Sequence, residues 1–509
     1  MNAEVKLDPP PGAATDVRRK PRVAIIGAGM SGMLSAIKLR ERGIEDIVIL
    51  EKADRIGGTW RDNTYPGLSC DVPAHMYTYT FEPNPEWSHR YARGPEIYKY
   101  FDHCANKYGL KELIHFNAEV VSARYESGQW FLKTGNDELH IADIVIGATG
   151  VLHHPSYPDI EGLEAFSGDM FHTARWDHDV DLTGKRVGII GTGSTATQIV
   201  PQIVDKVGKL DLFQRTPQWI YPLPDKTYSE KDKKRLRGNG KLARKIRDRY
   251  SKMFEMTFAK AVTGNRFLLW FIGWVCKQHL ERKVKDPVLR EKMRPGYQAA
   301  CKRLIFATGF YEAIQKPNAE VITDGIERIE ANGIRTADGQ LHELDVLVLA
   351  TGFHAHSFMR PMEMIGKDGV SIDEAWAEGA YAFKSVALPG FPNFFMMTGP
   401  NSPIGNYSLI TINELQLNYV MQLIDQWSSG NADEIVPRTD VTKSYNEALQ
   451  NSMSDTVWVT GCKSWYFNEF GKLAMWPWSF NHFIDVMKEP VLAEYELNKV
   501  EAPAESEAA

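Results

Sequence analysis

The stretch RVAIIGAGMSGMLSAIKL, Arg22 to Leu39, decides the fold. Val23 to Ile26 form a short apolar run of the kind a buried strand requires. Gly27, Gly29 and Gly32 follow as G-x-G-x-x-G, and the chain then turns helical in character. The next apolar run, DIVILEK, passes through Glu51. A phosphate at the start of that helix would meet free backbone N–H groups and the positive end of the helix dipole. Glu51 would then accept hydrogen bonds from a ribose diol. Strand, glycine turn, helix and acid together predict a dinucleotide-binding unit; the alternative is a Gly-rich turn in another α/β unit. Ser31 and Lys52 belong to the same candidate site.

The pattern returns in KRVGIIGTGSTATQIV, with Gly191, Gly193 and Ala196 after a short apolar strand, and with Thr192, Ser194 and Thr195 around them. Its second strand is LDLFQRT, which carries Arg215 and Thr216. From Gly27 to Glu51 is 24 positions, and from Gly191 to Arg215 is also 24. The two units therefore share one spacing but end in opposite charges. A carboxylate suits a free ribose diol. An arginine suits a 2′-phosphate, which it can grip through two parallel charged hydrogen bonds. The first unit should take an unphosphorylated dinucleotide such as FAD or NAD, and the second NADPH. Two further strands, IADIVIGATG and LDVLVLATGF, both finish in A-T-G, at Gly150 and Gly352. A chain holding one dinucleotide of each kind is most simply an NADPH-dependent flavoprotein.

The remaining composition narrows the class. A chain of 509 residues is too long for one core, and a net charge of −6 gives no reason to expect nucleic acid as a partner. The five cysteines are scattered without a C-x-x-C pair, which argues for a reducing compartment and against disulfides or a zinc site. The polar, Pro-rich start has no apolar core segment and does not read as a secretory signal. The longest apolar run, Phe267 to Cys276, has 10 residues. A helix needs roughly 20 to span a bilayer. A cytoplasmic protein without metal is the expectation.

The fold class read from these patterns is α/β: two Rossmann-like dinucleotide-binding domains with a helical insertion. Residues 21–150 and 390–495 are assigned to the first nucleotide unit, 151–220 and 295–389 to the second. Residues 221–294 form the insertion, and 1–20 and 496–509 are read as disordered. The insertion opens strongly basic, with ten basic and three acidic residues from Glu230 to Arg249. A solvated helix face explains that run; a surface for anionic partners or lipid headgroups is the alternative, since an apolar run follows.

Two further segments carry a family resemblance. FSGDMFHTARWD, Phe166 to Asp177, looks like neither flanking strand, yet it fills every position of F-x-G-x-x-x-H-T-x-x-W-[PD], the fingerprint of type I Baeyer–Villiger monooxygenases. GGTWRDNTYPGLSCD, Gly57 to Asp71, completes a second motif of that family and contributes Gly58, Thr59 and Trp60. The chain thus resembles this family over roughly residues 20 to 490. The resemblance implies that NADPH reduces FAD, that the reduced flavin takes up O2 as a peroxide, and that a ketone is converted to an ester or lactone. By resemblance, GYQAACKR places at Arg303 the cation that keeps the peroxide anionic, with Lys302 joining Arg215 on the 2′-phosphate. Asp71 would pair with Arg303, and Trp60 and Tyr77 would pack near the flavin or serve as core aromatics. Trp465, in KSWY, would belong to a mobile loop closing over the nicotinamide. His172 would brace the domain junction rather than react. Ser402, Ile404, Asn406 and Tyr407 are pocket candidates. Cys301 stands where many relatives have Thr, so substrate scope does not carry over. Two alternatives stay open: a flavin monooxygenase acting on nitrogen or sulfur, and a flavoprotein that binds both nucleotides without turnover.

Overall fold

The computed structural model describes residues 20–405 and 407–500. Asn406, residues 1–19 and residues 501–509 lie outside the described residues, and with them most of the segments read as disordered.

Two five-stranded sheets, parallel throughout, organise the chain. In the first, strand Val23–Ile26 lies between Ile47–Leu50 and Ile144–Gly147, with Phe394–Met396 and Ile114–His115 at the edges. Val23–Ile26 and Ile144–Gly147 are buried at every position. Parallel strands are covered on both faces, so an unbroken apolar run is what they need. The second sheet centres on Arg186–Ile190, flanked by Lys209–Phe213 and Val346–Leu349, with Ala319–Ile322 and Asp169–His172 outermost. The fingerprint segment is therefore itself a strand over Asp169–His172. Its register sets His172 opposite Leu349. Only Phe171 and His172 of that strand are buried, which is why its pattern is too short to read as a strand from sequence.

Two boundaries differ from the sequence reading. The sequence pattern places residues 353–389 in the second unit, but strand Glu363–Ile365 pairs in parallel with Val120–Glu126 of the first. Phe358, Met364 and Trp376 share a core cluster with Ala24 and Val145, so the chain crosses back just after Gly352. The sequence reads as disordered from 496, but Tyr495–Asn498 forms a strand antiparallel to Glu434–Pro437. Tyr495 is buried in the first unit's core and anchors it.

The insertion leaves and rejoins the second unit through the paired strands Ile220–Pro222 and Ile305–Ala307. Between them lie helices Glu230–Leu236, Gly240–Phe254, Arg266–Lys283 and Pro287–Lys292. Ser229, Asn239, Asn265 and Asp286 each accept a backbone N–H at a helix start, where four donors lack intrahelical partners. No helix among the described residues is long and apolar enough to cross a membrane.

Candidate active site

The two glycine loops divide their labour by position. Gly27 has φ +107°, and a Cβ there would stand 2.7 Å from the Ala148 carbonyl oxygen. A Cβ on Gly32 would fall 1.9 Å from the Gly27 carbonyl oxygen. The fold itself demands both glycines. Gly29 is different: an added Cβ meets nothing nearer than Gly58 Cα at 3.9 Å. The second loop repeats this. Gly191 has φ +112° and would press a Cβ to 2.4 Å from the Ala350 carbonyl oxygen, whereas nothing lies within 4 Å of a Cβ on Gly193. Open space over the middle glycine, at the start of helices Met30–Glu41 and Ser194–Ile203, leaves room for an anionic group against free backbone N–H donors. Ser31 lies buried in the first turn of one helix; Ser194, Thr195 and Ala196 open the other. Each A-T-G segment supplies the carbonyl against which its glycine loop is packed.

Glu51 is buried, and its carboxylate accepts hydrogen bonds from Ala28 N at 2.8 Å, Ala53 N at 3.0 Å and Arg61 Nη1 at 2.9 Å. A carboxylate offers about four acceptor positions, so one remains for a ribose hydroxyl. Lys52 is exposed beside it. The second motif is docked directly on this loop: Gly57 N donates to Ala28 O at 3.1 Å, Gly58 caps the short helix Thr59–Asp62, and Arg61 within it grips Glu51. Trp60 Nε1 donates to Tyr77 Oη at 3.1 Å with the rings edge to face, and Tyr77 Oη points at Met30 Sδ at 3.6 Å. Both aromatics thus stand at the mouth of the first helix while joining its core.

The same motif reaches the second unit. Tyr65 Oη donates to Gln198 Oε1 at 3.0 Å, and Gln198 Nε2 donates to the Ser69 carbonyl at 3.1 Å. A cleft of about 810 Å³ opens between the units, lined by Trp60, Pro66 and Ser69 on one side and Thr197, Gln198 and Pro201 on the other. At the far edge of the second loop, Thr192 Oγ1 donates to the Thr216 carbonyl at 2.9 Å. Arg215 is exposed next to it. Burial and the nearby positive charge of Arg215 both push the Lys302 ammonium below its ordinary pKa. Among the described residues neither cation has a carboxylate in salt-bridge reach. Two neighbouring cations without an acid make a site for a dianion.

Arg303 follows immediately. Its Nη2 donates to Asp71 Oδ2 at 2.5 Å across 232 positions of sequence. The attraction of Asp71 raises the guanidinium pKa further, and about 30% of the Arg303 side chain remains exposed. Tyr466 completes the group. A Cβ on Gly405 would stand 3.1 Å from both Arg303 Nη1 and Tyr466 Oη, so the two side chains converge on one glycine of positive φ. Burial lifts the Tyr466 phenol to about 12, keeping it a neutral donor. Trp465 lies 4.7 Å from the Tyr466 ring, half-exposed, and its carbonyl accepts from His356 Nε2 at 2.7 Å.

A disulfide ties this region together. Cys301 and Cys462 are bonded, although 161 positions apart. The scatter of cysteines argued against any disulfide; the correction is that the fold brings the Arg303 segment against the Trp465 loop, which spacing along the chain does not reveal. Cys70, Cys104 and Cys276 are free and buried. His172 is buried, and its Nδ1 accepts from Ala174 N at 3.1 Å. Burial holds its imidazole down to about 4, so it is neutral at ordinary pH. It packs against Phe353, just beyond the second A-T-G, at the place where the chain crosses between units. Of the turn residues, Ser402 is spent on Gly399 and Gln416, Tyr407 stacks on Phe480, and Ile404 is partly buried in the first unit's core.

Residues 20–363 match the model of the flavin-binding monooxygenase-like family. This chain belongs to that family. The monooxygenase is 39% identical over 492 residues to a protein of Streptomyces coelicolor named Baeyer-Villiger monooxygenase, covering 95% of this chain and 94% of that one. It is 38% identical over 489 residues to one of the same name from Pseudomonas aeruginosa, covering 94% and 91%. Among solved structures it superposes on an oxidized steroid monooxygenase bound to NADP with a TM-score of 0.84 at 27% identity, covering 94% of this chain and all of that one. An OTEMO complex with FAD and NADP gives the same TM-score at 26% identity and the same coverage. The monooxygenase is accordingly an FAD-dependent oxidoreductase that draws on NADPH.

Three residues of the site escape sequence reasoning. Arg61 lies inside a motif read for its glycines and tryptophan, and nothing in its spacing points to Glu51. Tyr466 stands beside the tryptophan that drew attention. Gln198 sits one turn beyond the glycine loop, where a polar residue reads as solvated.

Proposed function

We propose that this monooxygenase inserts one atom of O2 beside the carbonyl of a small apolar ketone, giving an ester or lactone. Bound FAD, reduced by NADPH, supplies the oxygen-transfer chemistry; the protein supplies position, charge and dryness. Gly29 with Ser31, and Glu51 with its Arg61 brace, hold the first dinucleotide. Gly193 with Ser194 and Thr195 hold the second, and Arg215 and Lys302 select its 2′-phosphate. The observation that carries the reading is the Arg303–Asp71–Tyr466 group. Nucleophilic attack on a carbonyl needs an anionic oxygen donor and creates an oxyanion, and a fixed cation stabilises both. Arg303 keeps its charge when desolvated. Asp71 holds the guanidinium in place, and Tyr466 is a neutral donor aimed at the same point. Trp465 and its loop exclude water from that point, and His172 couples the second nucleotide to the junction between units. Electrophilic oxygenation of nitrogen or sulfur has no need of this cation.

The test is NADPH consumption by the FAD-loaded protein across a panel of linear, cyclic and aromatic ketones, with products identified by mass. A ketone-dependent product heavier by one oxygen supports the proposal. Consumption stimulated only by amines or sulfides would contradict it.

A further inference from the structure

Helix Arg266–Lys283 presents two apolar faces. Leu269, Ile272, Cys276 and Leu280 point inward; Ile272 and Cys276 pack beside Ala299 and Leu304, next to Arg303. On the opposite side, Phe267, Trp270, Phe271 and Trp274 recur at i, i+3, i+4 and i+7, one stripe of a helix. They are 70%, 60%, 43% and 45% exposed. Their rings pair off along the stripe, Phe267 with Trp270 and Phe271 with Trp274, each at 5.9 Å. A stripe of four large exposed aromatics on one helix is an interaction surface rather than scattered surface apolarity.

Charge says what covers it. Residues 230–283 hold 16 Lys and Arg against 5 Asp and Glu, a net +11, whereas the chain as a whole is −6 and the remainder therefore −17. Some of these basic residues, among them Lys233, Arg237, Arg247, Lys277 and Lys283, are held in ion pairs, but others are not. Lys241, Arg244, Lys245, Arg249, Lys252 and Arg266 are exposed, and none has a salt bridge among the described residues. An insertion that combines exposed cations with a Trp- and Phe-bearing helix face has the make-up of an interfacial membrane anchor: cations meet anionic headgroups while aromatic rings enter the headgroup boundary.

We propose that this face of the insertion docks on an anionic lipid surface. No helix among the described residues spans a bilayer, so the contact is peripheral and reversible. Taken with the reaction proposed above, it would set the Arg303 site one helix away from a reservoir of dissolved apolar ketone. The docking itself does not depend on that reaction.

The test uses the full-length, FAD-loaded protein and vesicles of phosphatidylcholine, with and without about one third phosphatidylglycerol. The expected result is sedimentation with the anionic vesicles only, weakened by salt, and quenching of tryptophan fluorescence by brominated lipid. A Phe267→Ser, Trp270→Ser, Phe271→Ser and Trp274→Ser variant should keep its flavin and lose binding by about tenfold or more. Replacing Lys241, Arg244 and Lys245 with Gln should cost about fivefold per charge. Wild type that stays in solution with every vesicle overturns the proposal, as does a ridge variant that sediments like wild type. If wild type is instead an oligomer that the ridge variant dissociates, without lipid binding, the face joins two copies and the proposal also fails.

Discussion

Replacing Arg303 with Ala removes the one cation that Asp71 and Tyr466 jointly position. The Arg303 and Asp71 side chains are 30% and 21% exposed. Losing the partner of such a pair falls between a surface ion pair, worth about 0–1 kcal/mol, and a buried one, about 3–5 kcal/mol, so the variant should stay folded. The catalytic cost is larger. Deleting one donor from a site that stabilises a developing oxyanion lowers kcat by about 10²–10³. The glycine loops, Arg215 and Lys302 are untouched, so NADPH should still bleach the flavin in anaerobic stopped flow at close to the wild-type rate. Ester formation, quantified by gas chromatography, should collapse while NADPH consumption continues. Arg303→Lys keeps the charge but not the planar fork and should fall between. Ester formation by Arg303→Ala within about tenfold of wild type, or about 1.4 kcal/mol in the barrier, would refute the reasoning.

The glycine loops give a contrast. Gly29→Ala should fold with little change in thermal midpoint yet bind FAD weakly, because its Cβ strikes no protein atom closer than 3.9 Å. Gly32→Ala, with a Cβ 1.9 Å from a carbonyl oxygen, should lower the midpoint with or without FAD. Replacing Arg215 and Lys302 with Ala should raise the KM for NADPH by about 10- to 100-fold and leave that for NADH nearly unchanged, since charged hydrogen bonds contribute about 1.5–3 kcal/mol. Reducing the Cys301–Cys462 bond, which closes a long loop, should shift the guanidinium midpoint down by the equivalent of about 2–4 kcal/mol; identical midpoints with and without dithiothreitol would count against the bond. Burial lifts the Glu414 carboxyl from 4.5 to about 7, despite its acceptance of Thr80 N at 2.7 Å. A carboxyl raised on folding favours the fold while protonated, so its contribution is full below pH 4.5 and lost as pH rises through about 7. Glu414→Gln should therefore stabilise the protein at pH 8 by up to about 3 kcal/mol and do little at pH 4, as read by denaturant unfolding.

What was legible in the sequence follows from how local the constraint is. Gly27, Gly32 and Gly191 are fixed by clashes within a few residues or with the adjoining strand, and Arg215 stands a set number of residues from its loop. Such relations are written in spacing. Arg303 and Asp71 could be paired only through resemblance, because 232 positions separate them. Tyr466, the Gln198 bridge to Ser69 and the Cys301–Cys462 bond depend on how segments far apart along the chain meet in the fold, and no periodicity records that. The return of the chain to the first unit at Glu363–Ile365 was missed for a similar reason. A three-residue edge strand carries too little alternation to declare its partner, and the second A-T-G gave no cue that the crossing had already begun.

The proposed reaction requires that one oxygen atom of the ester come from O2. Turnover under ¹⁸O2 with NADPH and a ketone found active in the panel tests it most directly. An ester carrying a single ¹⁸O atom, formed in step with NADPH oxidation, is the expected product. NADPH oxidation that leaves every ketone unchanged, or a product without the label, would contradict it.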